Sequence, residues 1–289
     1  MAFRSSGTLP KDAHKGINAW VLNIALPAVS LNYIPYIQWS TELLFPVAAP
    51  LIVWLGGWTF ISLYALKQPM DKATKGALKL TSGLSNTSFL GFPMVMAYFG
   101  TEALSIAVIT DQACFILLST AGIIVAINSA QKEKLSAAAI LKRLFRFPPF
   151  IAFIAALTLP RFVDISPLNP LFEKLVATVG PLALFSIGLQ LQFSGWRSEL
   201  KHLSAGLFYK LLLAPALVLL TAVVFKLKGE IPQVSIFEIA MPTLVTSSLI
   251  ADEYGLNPKL ANLMVGIGII LSFLTTGFWW LVMQYVIPA

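Results

Sequence analysis

Long apolar runs alternate along this chain with short polar, basic or proline-bearing breaks, and nine of the runs can be read as membrane passages. Windows of about 20 apolar residues match a hydrocarbon layer of roughly 30 Å when wound as α-helix. They fall at residues 17–37, 43–66, 78–99, 103–127, 148–163, 168–189, 203–225, 235–251 and 259–286, the fifth being the shortest. Two are interrupted near their middles. The third carries Ser82-Gly83-Leu84-Ser85-Asn86-Thr87-Ser88-Phe89-Leu90-Gly91-Phe92-Pro93, and the eighth carries Ala240-Met241-Pro242-Thr243-Leu244-Val245-Thr246-Ser247-Ser248. Gly, Pro and clustered hydroxyl residues free backbone N–H and C=O groups, which lipid cannot satisfy, so such breaks must be buried in protein or line a wet cavity. Two breaks at matching places in two halves point to a transport site.

Composition agrees with an all-α polytopic membrane protein: 57% of residues are hydrophobic, 11% are charged, and mean hydropathy is +0.79. The single Cys114 excludes an internal disulfide. A net charge of +7 would suit nucleic acid, but its placement gives a simpler reading. With the N-terminus cytoplasmic, the inner stretches hold Arg4, Lys11, Lys15, Lys67, Lys72, Lys75, Lys79, Lys132, Lys134, Lys142, Arg143, Arg146, Arg197, Lys201 and Lys259. The outer loops hold only Arg161, Lys174, Lys226 and Lys228, the asymmetry of the positive-inside rule, which also puts the C-terminus outside. Residues 135–146 read as an amphipathic helix on the inner surface. The expected organisation is a cytoplasmic segment 1–16, a first repeat 17–127, a cytoplasmic loop 128–147 and a second repeat 148–289 in a cell membrane, with no nucleic-acid partner.

The breaks lie five segments apart, and because five is odd the repeats are inverted. Aligning Gly100 with Gly255 superposes Tyr98-Phe99-Gly100 on Glu253-Tyr254-Gly255. Segments one and six both carry an internal proline, in Ala25-Leu26-Pro27-Ala28 and Val179-Gly180-Pro181-Leu182. Segments five to nine then form a complete repeat, whereas segments one to four lack a first member.

Asn86-Thr87-Ser88-Phe89-Leu90-Gly91-Phe92-Pro93 resembles the NT-x-x-x-G-x-P stretch of the auxin efflux carrier family, which includes plant PIN carriers and bacterial malate- and malonate-type permeases. Ala240-Met241-Pro242, with Ile250-Ala251-Asp252-Glu253-Tyr254-Gly255-Leu256-Asn257-Pro258 after it, is similar to that family's second crossover and the loop that follows. Asn23-Ile24-Ala25-Leu26-Pro27-Ala28 and Gly180-Pro181-Leu182-Ala183-Leu184-Phe185-Ser186-Ile187-Gly188-Leu189 resemble two further signatures, and Gly7-Thr8-Leu9-Pro10-Lys11 resembles the loop after a first helix. The resemblance implies ten spans in two five-helix repeats, so this chain reads as starting after helix one. Either the start codon lies further upstream or this is a nine-span variant, and a truncated, inactive carrier is one alternative. The resemblance further implies a carrier of a small organic anion, with a scaffold, a mobile part and the substrate where two broken helices cross.

The residues support the same site. Half-helix N-termini offer unpaired N–H donors and positive dipole ends to a carboxylate. Asn86, Thr87, Ser88, Thr243, Thr246, Ser247 and Ser248, with Asn23 in segment one, are the expected substrate contacts; close helix packing by small hydroxyl residues is the competing reading. Pro27, Pro93, Pro181 and Pro242 are expected to break helices, and Gly91 to permit close approach. Among ionisable residues within spans, Asp111 beside Gln112 is a proton- or cation-coupling candidate. Lys210 is read as snorkelling to the cytoplasm or as a charge partner, and Glu238 as solvated near an outer end.

A potential of about 100 mV, inside negative, is worth roughly 2.3 kcal/mol per charge and drives a lone monovalent anion outward about fiftyfold. Uptake would need a co-transported proton or cation. No H-E-x-x-H, G-x-S-x-G or nucleotide-binding loop occurs, and His14 and His202 fall in loops, so an enzyme, a metal or cofactor site and a primary pump are not expected. A channel or membrane-embedded ligand sensor stays open as an alternative, as does a homodimer.

Overall fold

The computed structural model describes residues 10, 12–130, 138, 141–142, 145–190 and 196–287. Among these the chain is helical, apart from one isolated antiparallel bridge between Ser85 and Thr243. The helical passages are α1 Ala13–Tyr36, α2 Thr41–Lys67, α3a Lys72–Gly83 with α3b Thr87–Phe99, α4 Leu104–Ala130, α5 Pro148–Arg161, α6 Ser166–Gln190, α7 Trp196–Val224, α8a Glu230–Ile239 with α8b Val245–Glu253, and α9 Pro258–Val286. Six of them are long and apolar enough to cross a membrane whole, and the molecule is an integral multi-pass membrane protein. The interface helix expected at 135–146 and the Gly7–Lys11 loop fall largely outside the described residues.

The prolines act less uniformly than expected. Pro27 does not break its span: α1 is continuous, and the turn Val21–Ala25 widens to a π-type turn just before it. Thr87–Gly91 precedes Pro93 in the same way, and Tyr209–Leu213 precedes Pro215. A proline lacks the N–H for the carbonyl four residues back and its ring clashes there, so the helix takes in an extra residue rather than stopping. Pro181 sits in the first turn of Val179–Gln190, where no N–H is needed. The true breaks are Leu84–Asn86 and Ala240–Leu244, and Pro242 alone among the named prolines lies in one.

Other local signals are plain. Asp71 caps α3a, accepting from the Thr74 N–H at 2.6 Å, and these Thr74 hydrogen bonds hold its carboxyl below the usual carboxylate range. Lys72, Lys75 and Lys79 therefore lie on a helix, not in the inner loop that hydropathy suggests. Gly100 and Gly255, the residues paired by the repeat alignment, follow α3b and α8b at φ of 89° and 65°. Only glycine takes such angles without strain.

Packing sorts the helices into two groups. α1 packs on α5 and α6. α2 packs on α3a, α4, α7 and α8a, and α9 closes the second group against α3a, α7, α8a and α8b. The groups meet where α6 lies on α3b and α1 lies on α4.

Candidate functional site

The two broken passages cross at their breaks and complete each other's backbone. Asn86 N–H donates to the Pro242 carbonyl at 2.8 Å, and Leu244 N–H donates to the Leu84 carbonyl at 3.1 Å. In hydrocarbon each of these groups left unpaired would cost several kcal/mol. Pairing them across the crossing makes two broken helices tolerable at membrane depth.

Side chains then cap the carbonyl ends of the first half-helices reciprocally. Thr243 Oγ1 donates to the Thr81 carbonyl of α3a at 2.9 Å, and Ser85 Oγ donates to the Ile239 carbonyl of α8a at 3.3 Å. Lys210 joins the second cap, its Nζ donating to Ser85 Oγ at 2.7 Å and to the Ile239 carbonyl at 2.8 Å. Lys210 is 0% exposed, so of its two expected roles, snorkelling or charge partner, it does not take the first. The π-type turn Tyr209–Leu213 carries it in α7, and Tyr209 Oη anchors that turn on the Val53 carbonyl of α2 at 2.6 Å. A cation at the C-terminal end of α8a opposes the negative end of its dipole.

With the negative ends capped, the positive ends stay open. Thr87, Ser88 and Phe89 at the start of α3b, and Leu244, Val245 and Thr246 at the start of α8b, line one cavity of about 200 Å3. Leu22 of α1, Asp111, Cys114, Phe115 and Leu118 of α4, and Arg146 and Phe147 ahead of α5 complete it. The cavity therefore sits where the two helix groups meet. Phe115 and Phe147 stack on each other in its wall at 3.8 Å between centroids, and exposed Arg146 brings a cation to its rim.

Inside, Asp111 is buried and accepts from Thr87 Oγ1 at 2.6 Å and from Gln112 Nε2 at 3.3 Å. Cys114 Sγ lies 3.8 Å from the Ser85 carbonyl. Asn86, the residue preceding α3b, makes no side-chain cap, and neither atom of its buried carboxamide has a hydrogen-bond partner among the described residues.

The expected contacts divide accordingly. Thr87, Ser88 and Thr246 line the cavity, and Asn86 adjoins it in sequence. Thr243 is spent on capping α3a, while Ser247 and Ser248 bond back to the Leu244 and Val245 carbonyls of their own helix. Asn23 is exposed, donates to the Ala19 carbonyl at 2.7 Å and is not among the lining residues. Ser85, Cys114 and Arg146 have no site role in the sequence reading. Ser85 stood in the quoted break as one small residue among several, and Arg146 was absorbed into the positive-inside count.

Glu238 reverses its expectation most clearly. It is 0% exposed, neither carboxyl oxygen has a partner among the described residues, and an ideal Cβ built on Gly91 would lie 2.7 Å from both oxygens. The hydropathy window begins α8 five residues too late, at 235 instead of Glu230, which misplaces Glu238 toward an end. At Gly91 the backbone of α3b lies close to this carboxyl.

Comparison with known proteins gives the family. A transporter of uncharacterized function from Methanothermobacter thermautotrophicus is 24% identical over 278 residues, covering 94% of this chain and 90% of the relative. A Rhizobium meliloti protein named for malonate transport is 26% identical over 300 residues, covering 97% and 90%. A rice (Oryza sativa subsp. japonica) protein named as an auxin efflux carrier component is 30% identical over 104 residues, which is 34% of this chain and 28% of that protein. The family described as membrane transport protein matches residues 1–280, and the chain belongs to that family, the auxin efflux carriers.

Proposed function

We propose that the protein is a secondary transporter of a small organic anion, bound between the N-termini of α3b and α8b. One observation carries this reading: the C-terminal ends of the half-helices are capped at the crossing, whereas both N-terminal ends open into one cavity. Such ends attract a carboxylate without needing a buried cation in direct contact. The cavity's place at the seam between the α1–α5–α6 group and the remaining helices favours an elevator-like cycle, in which the second group carries the anion past the first. In this scheme residues 17–127 and 148–289 are the inverted repeats, and the Arg146 rim faces the cytoplasm.

Asp111 sets the energetics. A substrate carboxylate entering beside the Asp111 carboxyl brings two like charges into one small site, and both cannot stay ionised cheaply. Anion and proton would then arrive together, which offsets the outward pull of the membrane potential. Cys114 lies on the same helix face, with Lys210 and Glu238 behind the crossing and Arg146 at the rim.

Counterflow in proteoliposomes tests the proposal. Vesicles preloaded with unlabelled malonate, malate or an indole carboxylate are expected to accumulate the labelled acid transiently, for at least one of the three. Flux without trans-stimulation would indicate a channel, and binding without flux a sensor. Asp111→Asn is expected to retain counterflow but lose its pH dependence. An unchanged pH profile in that variant would remove Asp111 from coupling.

A further inference from the structure

A second cavity, away from the crossing, has no part in the transport scheme. It has a volume of about 220 Å3 and is lined by Trp58 of α2, Lys72, Lys75 and Lys79 of α3a, and Asn128 and Ser129 of α4. The three lysines are spaced i, i+3 and i+7, so one helix face carries them all. Like charges at that spacing repel one another. None of the three ammonium groups has an ion pair or hydrogen bond among the described residues, and Lys79 Nζ instead lies 4.1 Å above the Trp58 ring. The nearest carboxylate in sequence, Asp71, is occupied with the Thr74 N–H.

The walls are fixed. Gly76, between Lys75 and Lys79, lets α3a meet the end of α4 so closely that a Cβ there would clash with Ser129 Cβ and Oγ. The cavity lies where α2 ends, α3a begins and α4 ends, three termini at one face of the membrane. Trp58 is nine residues before the end of α2, roughly 13 Å along a helix, within the headgroup and upper acyl layer that tryptophan favours. Leu55 and Ile124, one turn from Trp58 and Asn128, are exposed and apolar, a surface for acyl chains beside the basic pocket.

We propose that this cavity binds a phosphate group, and that the phosphate is carried by an anionic phospholipid of the adjoining leaflet. The ammonium groups would pair with the single negative charge of the phosphodiester and relieve their mutual repulsion, Asn128 and Ser129 would donate to its free oxygens, and the chains would run along α2 and α4. Because α3a leads straight into the crossing, a bound lipid would hold the first half-helix at the membrane face. The inference does not depend on which anion is transported, or on whether any is.

The test is thermal unfolding of the full-length protein in a neutral maltoside detergent, with dihexanoyl-phosphatidylglycerol, dihexanoyl-phosphatidylcholine or inorganic phosphate added. The phosphatidylglycerol is expected to raise the midpoint by about 5 °C, and the other two by about 1 °C or less. The variant Lys72→Gln/Lys75→Gln/Lys79→Gln is expected to lose the phosphatidylglycerol increment, while Lys142→Gln/Arg197→Gln/Lys259→Gln keeps it. If the first variant does not fold, Lys79→Gln should weaken the increment and Lys79→Arg restore it. An equal increment from inorganic phosphate would overturn the lipid assignment in favour of free phosphate. Absence of a phosphatidylglycerol increment, or its survival in the first lysine variant, would overturn the site.

Discussion

Lys210→Met is expected to reduce counterflow on the order of 100-fold while moving the thermal midpoint little. Two opposing effects act on stability. The variant loses two charge-assisted hydrogen bonds, worth roughly 1.5–3 kcal/mol each, but it also removes a fully buried ammonium whose desolvation costs several kcal/mol. Methionine is close in length and flexible enough to fill the space. Function has no such offset. Without Lys210 the end of α8a keeps only the Ser85 hydroxyl at 3.3 Å, and the positive charge behind the crossing is gone while Asp111 remains in front of it. An anion then enters a site whose buried charge is negative only. Lys210→Arg should not rescue, because the side chain is enclosed on all sides and a guanidinium needs more room. Counterflow in Lys210→Met within about threefold of the unaltered protein would sink this account of the crossing.

Gly91→Ala is expected to cost about 1–3 kcal/mol of stability and most of the transport activity, through overpacking. The added Cβ would meet both Glu238 oxygens at 2.7 Å, and although a carboxyl ends a flexible chain, this one is wholly buried, so moving it displaces packed neighbours. The diagnostic result is the pairing of variants. Glu238→Ala in the Gly91→Ala background should restore the midpoint, whereas Glu238→Gln, which keeps the bulk, should not. Equal rescue by alanine and glutamine would mean that charge, rather than volume, limits the contact of α3b with α8a.

The passages and both breaks were legible because each leaves a one-dimensional signal: apolar length for a span, and clustered Gly, Pro, Ser and Thr for a break. Pro27 misled because proline in a helix has two outcomes, a stop or a wider turn. Which one occurs depends on whether neighbouring helices can accept the extra residue. Lys210 and Glu238 misled for a related reason. Depth along a helix says how far a charge lies from the membrane face, but not whether a partner helix waits beside it. The Ile239 carbonyl that receives Lys210 is freed only by a break 29 residues further along the chain. Among the hydroxyls, composition could not separate Thr246, which lines the cavity, from Thr243, which caps a helix end, because that division is set by the register of the Ser85–Thr243 bridge. Arg146 reached the cavity rim only through the fold.

Whether an anion sits between the opposed N-termini of α3b and α8b can be read from substrate protection of Thr246→Cys in a Cys114→Ser background, which leaves one thiol in the chain, at the cavity wall. Its rate of modification by a small maleimide is measured in proteoliposomes with and without whichever acid shows counterflow. At least about fivefold slowing by that acid at saturating concentration is expected, and none by its uncharged amide. A transported acid that leaves the Thr246→Cys rate unchanged, in a variant that still transports, would contradict that placement of the anion.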